Sequence, residues 1–314
     1  MRHQKKRWFA ASLVLCMLLS ILPSTSLAFS ESEETWSGNR RNQTIDGGTH
    51  IITLSNLTID SPGVEKSAID ITGNADVTFI LEGNNTLRGY RNHPAIWVES
   101  GSSVTFEGNG LLEASAGGAS IGLGAAGIGG GYGASSNFGN ITINGGTIIA
   151  RGSGGGAGIG GGYEVGSGTV TGNVTINGGY VTAIGGSSGS TGGAGIGSGE
   201  NANYSGTVTI NGGVVYAEGG ADSTSIGRGN RAIGTSDNGA FTTGTGGNAV
   251  IVAPDGIGDP SGFADWDGIF ISYEGNNTSA TVGEDGTVHL NDTEANIQVW
   301  GEPVIDYPLV VESG

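Results

Sequence analysis

The chain has 314 residues, of which 64 are glycine and seven are proline, and its formal net charge is −17. An acidic balance of this size disfavours binding to nucleic acid or to anionic lipid, because both are negatively charged. Glycine at this frequency often indicates disorder, but here it alternates with regular Val, Ile and Thr triplets, which is typical of repeat proteins.

Residues 1–28 have the pattern of a secretory signal peptide. Four basic residues lie among the first seven, an apolar run extends from Trp8 to Leu22, and Ser26-Leu27-Ala28 is a small-residue cleavage pattern. The apolar run is too short to span a bilayer comfortably. Cys16, the only cysteine, lies within it, so the mature chain has no disulfide and no cysteine-bound metal. We therefore expect an extracellular protein without membrane insertion, in which residues 29–42 form a lead-in to the fold.

The repeated unit is clearest in the middle of the chain, where three segments match almost residue for residue. They are GNITINGGTIIARG (Gly139–Gly152), GNVTINGGYVTAIG (Gly172–Gly185) and GTVTINGGVVYAEG (Gly206–Gly219). Within each segment Val or Ile alternates with Thr, which is the period of two expected for a half-buried β-strand. Asn144, Asn177 and Asn211 occupy the same place in the three copies and are 33 and 34 residues apart.

A second motif alternates with the first and reads Ala-Gly-Ile-Gly in its best copies. Its central isoleucines are Ile69, Ile96, Ile128, Ile159, Ile196 and Ile226. Three short strands per repeat, with glycine corners, predict an all-β parallel β-helix of about six coils over residues 43–253. A short β-rich segment over residues 254–314 is predicted to close it. Stacked coils pair in parallel about 4.8 Å apart, so we expect the six isoleucines to point inward in register.

The repeated asparagines are interpreted as a structural feature. We predict that Asn144, Asn177 and Asn211 stack as a ladder at one corner of the coils. Amide side chains of neighbouring coils can then bond one another, because each amide has both donors and an acceptor. Little ligand binding is expected from them.

The repeats resemble a known group of proteins. The segments DVTFILEGNNTL (Asp76–Leu87) and GNVTINGGYVTA (Gly172–Ala183) are similar to the pectate-lyase-like β-helix modules of Gram-positive secreted and surface proteins, which are often carbohydrate-binding or adhesive. The likeness runs from about Gln43 to Trp300. It implies a right-handed β-helix, residence outside the cell or at its surface, and contact with polysaccharide, and it leaves Ca²⁺ open as a bound ion.

Residues suited to catalysis are sparse. A lyase on this fold needs a basic residue beside acidic calcium ligands, and a hydrolase needs several carboxylates close together. The basic residues after residue 28 are scattered, and the best candidate group is Arg88 and Arg91 with Glu82. The three best-matching repeats have almost no acid or base on their strands. We therefore predict no catalytic residue and assign no metal ligand.

Tyrosines supply the candidate binding site. Tyr132 and Tyr163 directly follow the sequence AGIGGG, and Tyr204 falls in the corresponding loop of the next repeat. Stacking of the coils places such rings about 5 Å apart along one edge, where they could bind the apolar faces of sugars. Alternatively, each ring packs over a glycine corner and shields the backbone. We predict a monomeric, non-catalytic module that contacts polysaccharide or cell-wall glycan through these three tyrosines.

Two other functions stay open at this point. The first is a polysaccharide lyase of the pectate-lyase type, which requires Arg88, Arg91 or Arg151 to gather with carboxylates. The second is a structural stalk of a larger envelope protein, which the end of the chain within the pattern, at Pro308–Gly314, also fits.

Overall fold

The fold is that of a computed structural model. The described residues are 32–60, 66–118, 123–133, 136–166, 168–230, 238–243, 249–255, 257, 268–273, 279–282, 288–291, 295–300 and 309–312. They belong to one compact unit, and the signal peptide predicted at residues 1–28 lies outside them. Within the described residues the chain is all-β and contains no α-helix.

The strands are short, as expected for a chain interrupted so often by glycine. In chain order they are β1 (Ser32–Asn39), β2 (Gln43–Asp46), β3 (Thr49–Asp60), β4 (Ile69–Thr72), β5 (Asp76–Glu82), β6 (Asn84–Arg88), β7 (Ile96–Val98), β8 (Ser103–Gly108), β9 (Leu111–Ser115), β10 (Ile128–Gly129), β11 (Asn140–Ile143), β12 (Thr147–Arg151), β13 (Ile159–Gly160), β14 (Thr169–Val170), β15 (Asn173–Ile176), β16 (Tyr180–Ile184), β17 (Ser187–Ser188), β18 (Thr191–Gly192), β19 (Ile196–Gly197), β20 (Asn203–Ile210), β21 (Gly213–Glu218), β22 (Ile226–Gly227), β23 (Asn238–Thr243), β24 (Ala249–Val252), β25 (Gly268–Tyr273), β26 (Ser279–Val282), β27 (Val288–Asn291), β28 (Ala295–Trp300) and β29 (Leu309–Glu312).

Strands from consecutive repeats pair in parallel. A seven-stranded sheet has the order β2-β4-β7-β10-β13-β19-β22, so each neighbour comes from the next repeat along the chain. A larger sheet of 17 strands contains two further series. The first ladder is β3-β5-β8-β11-β15-β20-β23, and the second ladder is β3-β6-β9-β12-β16-β21-β24-β25. Each repeat thus gives one strand to the small sheet and at least two strand segments to the large one.

The isoleucine register predicted from the sequence is confirmed. The six form five consecutive pairs in the seven-stranded sheet, and none of them is more than 1% exposed. The sheet has one strand more than the six motifs counted in the sequence, because β2 also belongs to it. There Gln43 pairs with Ile69 and Ile45 with Ile71. The first repeat escaped the count because glutamine occupies the place of the central isoleucine.

The core is shared by all the repeats. On β15, Val174 and Ile176 are fully buried while Asn173 and Thr175 reach the outer surface. The same alternation occurs on neighbouring strands, so the buried side chains form continuous columns through the sheet. Burial of each such side chain contributes about 1.5–3 kcal/mol, and it requires the adjacent repeats to be present.

The predicted lead-in is part of the fold. Strand β1 pairs in parallel with β3 along its whole length. Its Trp36 is only 6% exposed, and its ring lies 6.4 Å from that of Phe79. Strand β1 therefore covers the first end of the core.

At the other end the parallel pattern stops within the segment predicted to close the fold. Strand β25 still pairs in parallel with β24, but β28 pairs with β25 in the antiparallel direction. Strands β26, β27 and β29 form a separate three-stranded sheet.

Glycine is required beside each central isoleucine of the best-formed repeats. Gly129, Gly160, Gly197 and Gly227 have φ between +128° and +137°, a region that L side chains rarely adopt. A Cβ on Gly160 would lie 2.0 Å from the carbonyl oxygen of Gly197. The glycines therefore allow the backbone segments of successive repeats to approach closely on the outer side of the seven-stranded sheet.

Candidate functional site

Two of the three predicted tyrosines lie together. Tyr132 and Tyr163 occupy equivalent places in consecutive repeats, each four residues after a central isoleucine. The backbone of the two repeats is joined there, since Gly133 N donates to Tyr163 O at 2.9 Å. The ring centroids are 5.7 Å apart and the rings are inclined by 24°. Both side chains are partly exposed.

The way in which the rings meet determines what they offer a ligand. Because the two rings are stacked, one face of each is covered by the other. The pair therefore offers a ligand ring edges, phenol hydroxyls and at most one face of each ring. Asn201, from the following repeat, donates from Nδ2 to the hydroxyl oxygen of Tyr163 at 2.8 Å. We call Tyr132, Tyr163 and Asn201 the tyrosine edge.

The prediction for Tyr204 is wrong. It lies on β20, not in a loop, and its side chain is fully buried. Its ring stacks on that of Phe138 at 6.3 Å, and its hydroxyl donates to Gly172 O at 2.9 Å. Burial raises the pKa of its phenol above the ordinary value. Tyr204 pairs with Val170 in the neighbouring repeat, which shows that the position is an inward one.

A different residue stands where the third tyrosine was expected. Counting four residues from Ile196 gives Glu200, whose side chain is 2% exposed. The backbone confirms the equivalence, since Glu164 N donates to Glu200 O at 3.1 Å in the same way as Gly133 does to Tyr163. The spacing from the central isoleucine was present in the sequence and identifies both Glu200 and, one residue later, the Asn201 of the tyrosine edge.

The asparagines form the stacked arrangement described in the sequence analysis. Asn177 Nδ2 donates to Asn144 Oδ1 at 2.8 Å, and Asn211 Nδ2 donates to Asn177 Oδ1 at 2.7 Å. Asn144 in turn donates to Glu107 Oε1 at 3.1 Å. We call Asn144, Asn177 and Asn211 the asparagine ladder.

A second amide pair runs beside this ladder and was not anticipated. Asn173 Nδ2 donates to Asn140 Oδ1 at 3.0 Å, and Asn173 Oδ1 accepts from Thr207 N at 3.0 Å. Asn140 and Asn173 begin β11 and β15, four positions before Asn144 and Asn177, and Thr207 lies within β20, four positions before Asn211. The sequence held the signal, since Asn140 and Asn173 recur at the same spacing as the other asparagines.

The candidate catalytic group of Arg88, Arg91 and Glu82 does not form a compact cluster of acidic and basic side chains. Arg88 is exposed at the end of β6, and Glu82 is exposed at the end of β5. Arg91 lies over the ring of Tyr90, with its guanidinium carbon 5.4 Å from the ring centroid. Among the described residues, no group of three or more His, Cys, Asp or Glu side chains is arranged to hold a metal ion.

Asp70 is a further titratable residue, which the sequence analysis did not single out. Burial raises the pKa of the Asp70 carboxyl on β4, while a hydrogen bond from Ser67 and the charges of Lys66 and His93 act in the opposite direction. Asp70 is also paired in register with Trp97 of the next repeat. No regular spacing in the sequence marks these three residues, because Lys66 and His93 lie in irregular segments between the strands.

Comparison with known proteins identifies no relative. Neither a protein-family model, nor a curated protein, nor a solved structure matches the chain. In the part of the chain that the structure describes, no helix is long and apolar enough to cross a membrane.

Proposed function

We propose that the chain is a right-handed parallel β-helix that acts outside the cell as a non-catalytic polysaccharide-binding module. The parallel pairing of consecutive repeats supports the β-helix, and the sequence of residues 1–28 supports export. The scattered positions of the acidic and basic side chains favour binding over catalysis. The ligand is a polysaccharide or cell-wall glycan, and the protein acts as a monomer.

The observation that carries this proposal is the tyrosine edge. Tyr132 and Tyr163 are held in register by the backbone and are partly exposed, so they form an ordered point of contact. The hydroxyl of Tyr163 accepts from Asn201, which leaves its own proton to donate to a sugar oxygen. Sugar hydroxyls suit this edge because each one both donates and accepts hydrogen bonds.

The charge of the protein narrows the ligand class. With a net charge of −17, the chain repels anionic polymers at long range unless divalent cations bridge the two. A neutral glycan is therefore the favoured ligand, and any dependence on Ca²⁺ would indicate an anionic one. Nucleic acid is disfavoured for the same electrostatic reason.

The test removes the two hydroxyls and leaves the rings in place. The Tyr132→Phe, Tyr163→Phe double variant keeps the ring stack, so its fold should be preserved. Loss of two hydrogen bonds should weaken retention on an insoluble polysaccharide about tenfold. The measurement is depletion of the protein from solution over a panel of cellulose, chitin, xylan, polygalacturonate and bacterial cell wall, with and without Ca²⁺.

The matched control is Tyr216→Phe. Tyr216 lies on the second ladder, and its hydroxyl bonds Glu218 Oε2 at 2.7 Å. This variant also loses one phenol hydroxyl, but away from the tyrosine edge, and it should bind as the wild type does. Unchanged retention of the double variant would show that the hydroxyls of Tyr132 and Tyr163 make no contact with the polysaccharide and would overturn the proposed site.

A further inference from the structure

The outer side of the first ladder carries a repeated pattern of small polar side chains. Five threonines are aligned from strand to strand through the paired positions of β5, β8, β11, β15 and β20. They are Thr78, Thr105, Thr142, Thr175 and Thr209. All five side chains are partly exposed. With strands about 4.8 Å apart, the row extends over about 19 Å.

Hydrogen-bonded side chains border this row on both sides. On β11, β15 and β20 the asparagine ladder follows it by two residues, and the Asn140–Asn173–Thr207 series precedes it by two residues. On β8 the same two places hold Glu107 and Ser103. Alternate residues of a strand lie about 6.6 Å apart, so the three columns form a rectangular lattice. Nine residues of this lattice belong to β11, β15 and β20 or directly follow them, and we call these nine the polar face. They are Asn140, Thr142, Asn144, Asn173, Thr175, Asn177, Thr207, Thr209 and Asn211.

The side-chain ladders make the polar face regular. Within the asparagine ladder, Asn177 donates one amide proton to Asn144 and accepts one from Asn211. An amide has two donor protons and two acceptor lone pairs, so one of each is left to a ligand. Its orientation is already fixed, which reduces the ordering that binding requires.

The polar face is also uncharged on a strongly acidic chain. All nine members are Asn or Thr, whereas the chain has a net charge of −17. None of the nine carries a charge, and the nearest carboxylate, Glu107, borders the face on β8 and accepts a hydrogen bond from Asn144. Their chemistry suits a neutral ligand that presents many hydroxyl groups.

We infer that the polar face binds the ordered surface of a crystalline neutral polysaccharide. A rigid array of side chains binds most tightly to a ligand surface that is also rigid, because the contacts at successive repeats then form together. A single flexible chain would have to be ordered along the face, which lowers its affinity. This inference rests on the proposed polysaccharide function, but it concerns a face distinct from the tyrosine edge.

The test introduces a protrusion at the centre of the polar face. Thr175 is the middle member of the middle column on β15, and Thr175→Tyr keeps a residue that strands accommodate well. A ring standing above the face prevents close contact with a flat solid, while a flexible chain can pass around it. The probes are microcrystalline cellulose and crystalline chitin, each compared with its swollen, amorphous form by depletion.

We expect the wild type to prefer the crystalline form, and Thr175→Tyr to lose about tenfold or more of its adsorption to that form alone. The matched control is Thr182→Tyr on β16, an outward threonine of the second ladder, which should adsorb as the wild type does. Circular dichroism and the midpoint of thermal unfolding establish that both variants are folded.

The outcomes separate this inference from the proposed function. Undiminished adsorption of Thr175→Tyr to the crystals, or equal adsorption of the wild type to crystalline and amorphous forms, overturns the role of the polar face. If binding to amorphous polysaccharide then still depends on Tyr132 and Tyr163, the proposed function stands without this inference. If the wild type binds no polysaccharide in either form, both are overturned.

Discussion

At the scale of single residues, the tyrosines differ in whether they face outward or into the core. Tyr163 is in an outer segment and stacks on Tyr132, whereas Tyr204 occupies an inward position of β20 and stacks on Phe138. The polar tip of a buried tyrosine normally needs a partner, and Gly172 O supplies it. Tyr204 therefore contributes to stability, not to ligand contact.

This assignment predicts a stability effect for Tyr204→Phe. The variant keeps the stacked ring but leaves the carbonyl of Gly172 without the phenol donor, which should lower the free energy of unfolding by about 1–2 kcal/mol. Urea unfolding at pH 7 measures the change. Binding to polysaccharide should be unaffected, and a loss of binding with unchanged stability would contradict the assignment.

The same residue predicts a dependence on alkaline pH. Burial raises the pKa of Tyr204 in the folded protein, while in the unfolded chain it is about 10. The contribution of this phenol to stability is therefore fully present below about pH 10 and is lost as the pH rises above it. The difference in stability between the wild type and Tyr204→Phe should shrink between pH 7 and pH 10.5. A difference that grows over this range would show that the folded protein favours the ionised phenol.

At the scale of elements, each strand separates an inward from an outward set of side chains. On β15, Ile176 belongs to the buried set and Thr175, one residue earlier, to the outer set. The strand is paired on both sides, with β11 and with β20. A change on its inner side therefore affects three repeats at once.

Two substitutions on this strand should differ sharply. Ile176→Asp places an unpaired carboxylate in the shared core and should cost more than about 4 kcal/mol or prevent folding. Thr175→Asp places the same carboxylate at the surface and should change stability by less than about 1 kcal/mol. Thermal unfolding of the two variants measures both effects. Equal damage from the two would mean that the inward and outward sides of β15 are assigned wrongly.

At the scale of the whole molecule, the repetition of the sequence allows the fold to be predicted. Once parallel stacking is assumed, the spacing of Ile128, Ile159 and Ile196 fixes which residues face one another, and their burial follows from the strand period of two. The glycine beside each isoleucine follows from the close approach of successive repeats. These features are local and periodic, so the repeat spacing alone is enough to position them.

The candidate site is harder to predict from the sequence, because it depends on which residues of successive repeats are aligned with one another. Tyr204 was aligned with Tyr163 by residue type, although the spacing from Ile196 points to Glu200. An apolar or aromatic residue six or seven positions before each repeated asparagine, namely Phe138, Val170 and Tyr204, marked the inward position. The electrostatic influence of Lys66 and His93 on Asp70 has no periodic signal, since both residues lie in irregular segments.

The central claim is that this protein binds polysaccharide without cleaving it. The most direct measurement follows, in one incubation, the depletion of the wild-type protein by insoluble polysaccharides and the release of reducing ends and unsaturated products, with and without Ca²⁺. We predict retention on at least one neutral polysaccharide and no release of soluble product. Retention on none of the polysaccharides, or steady release of product, would contradict the account.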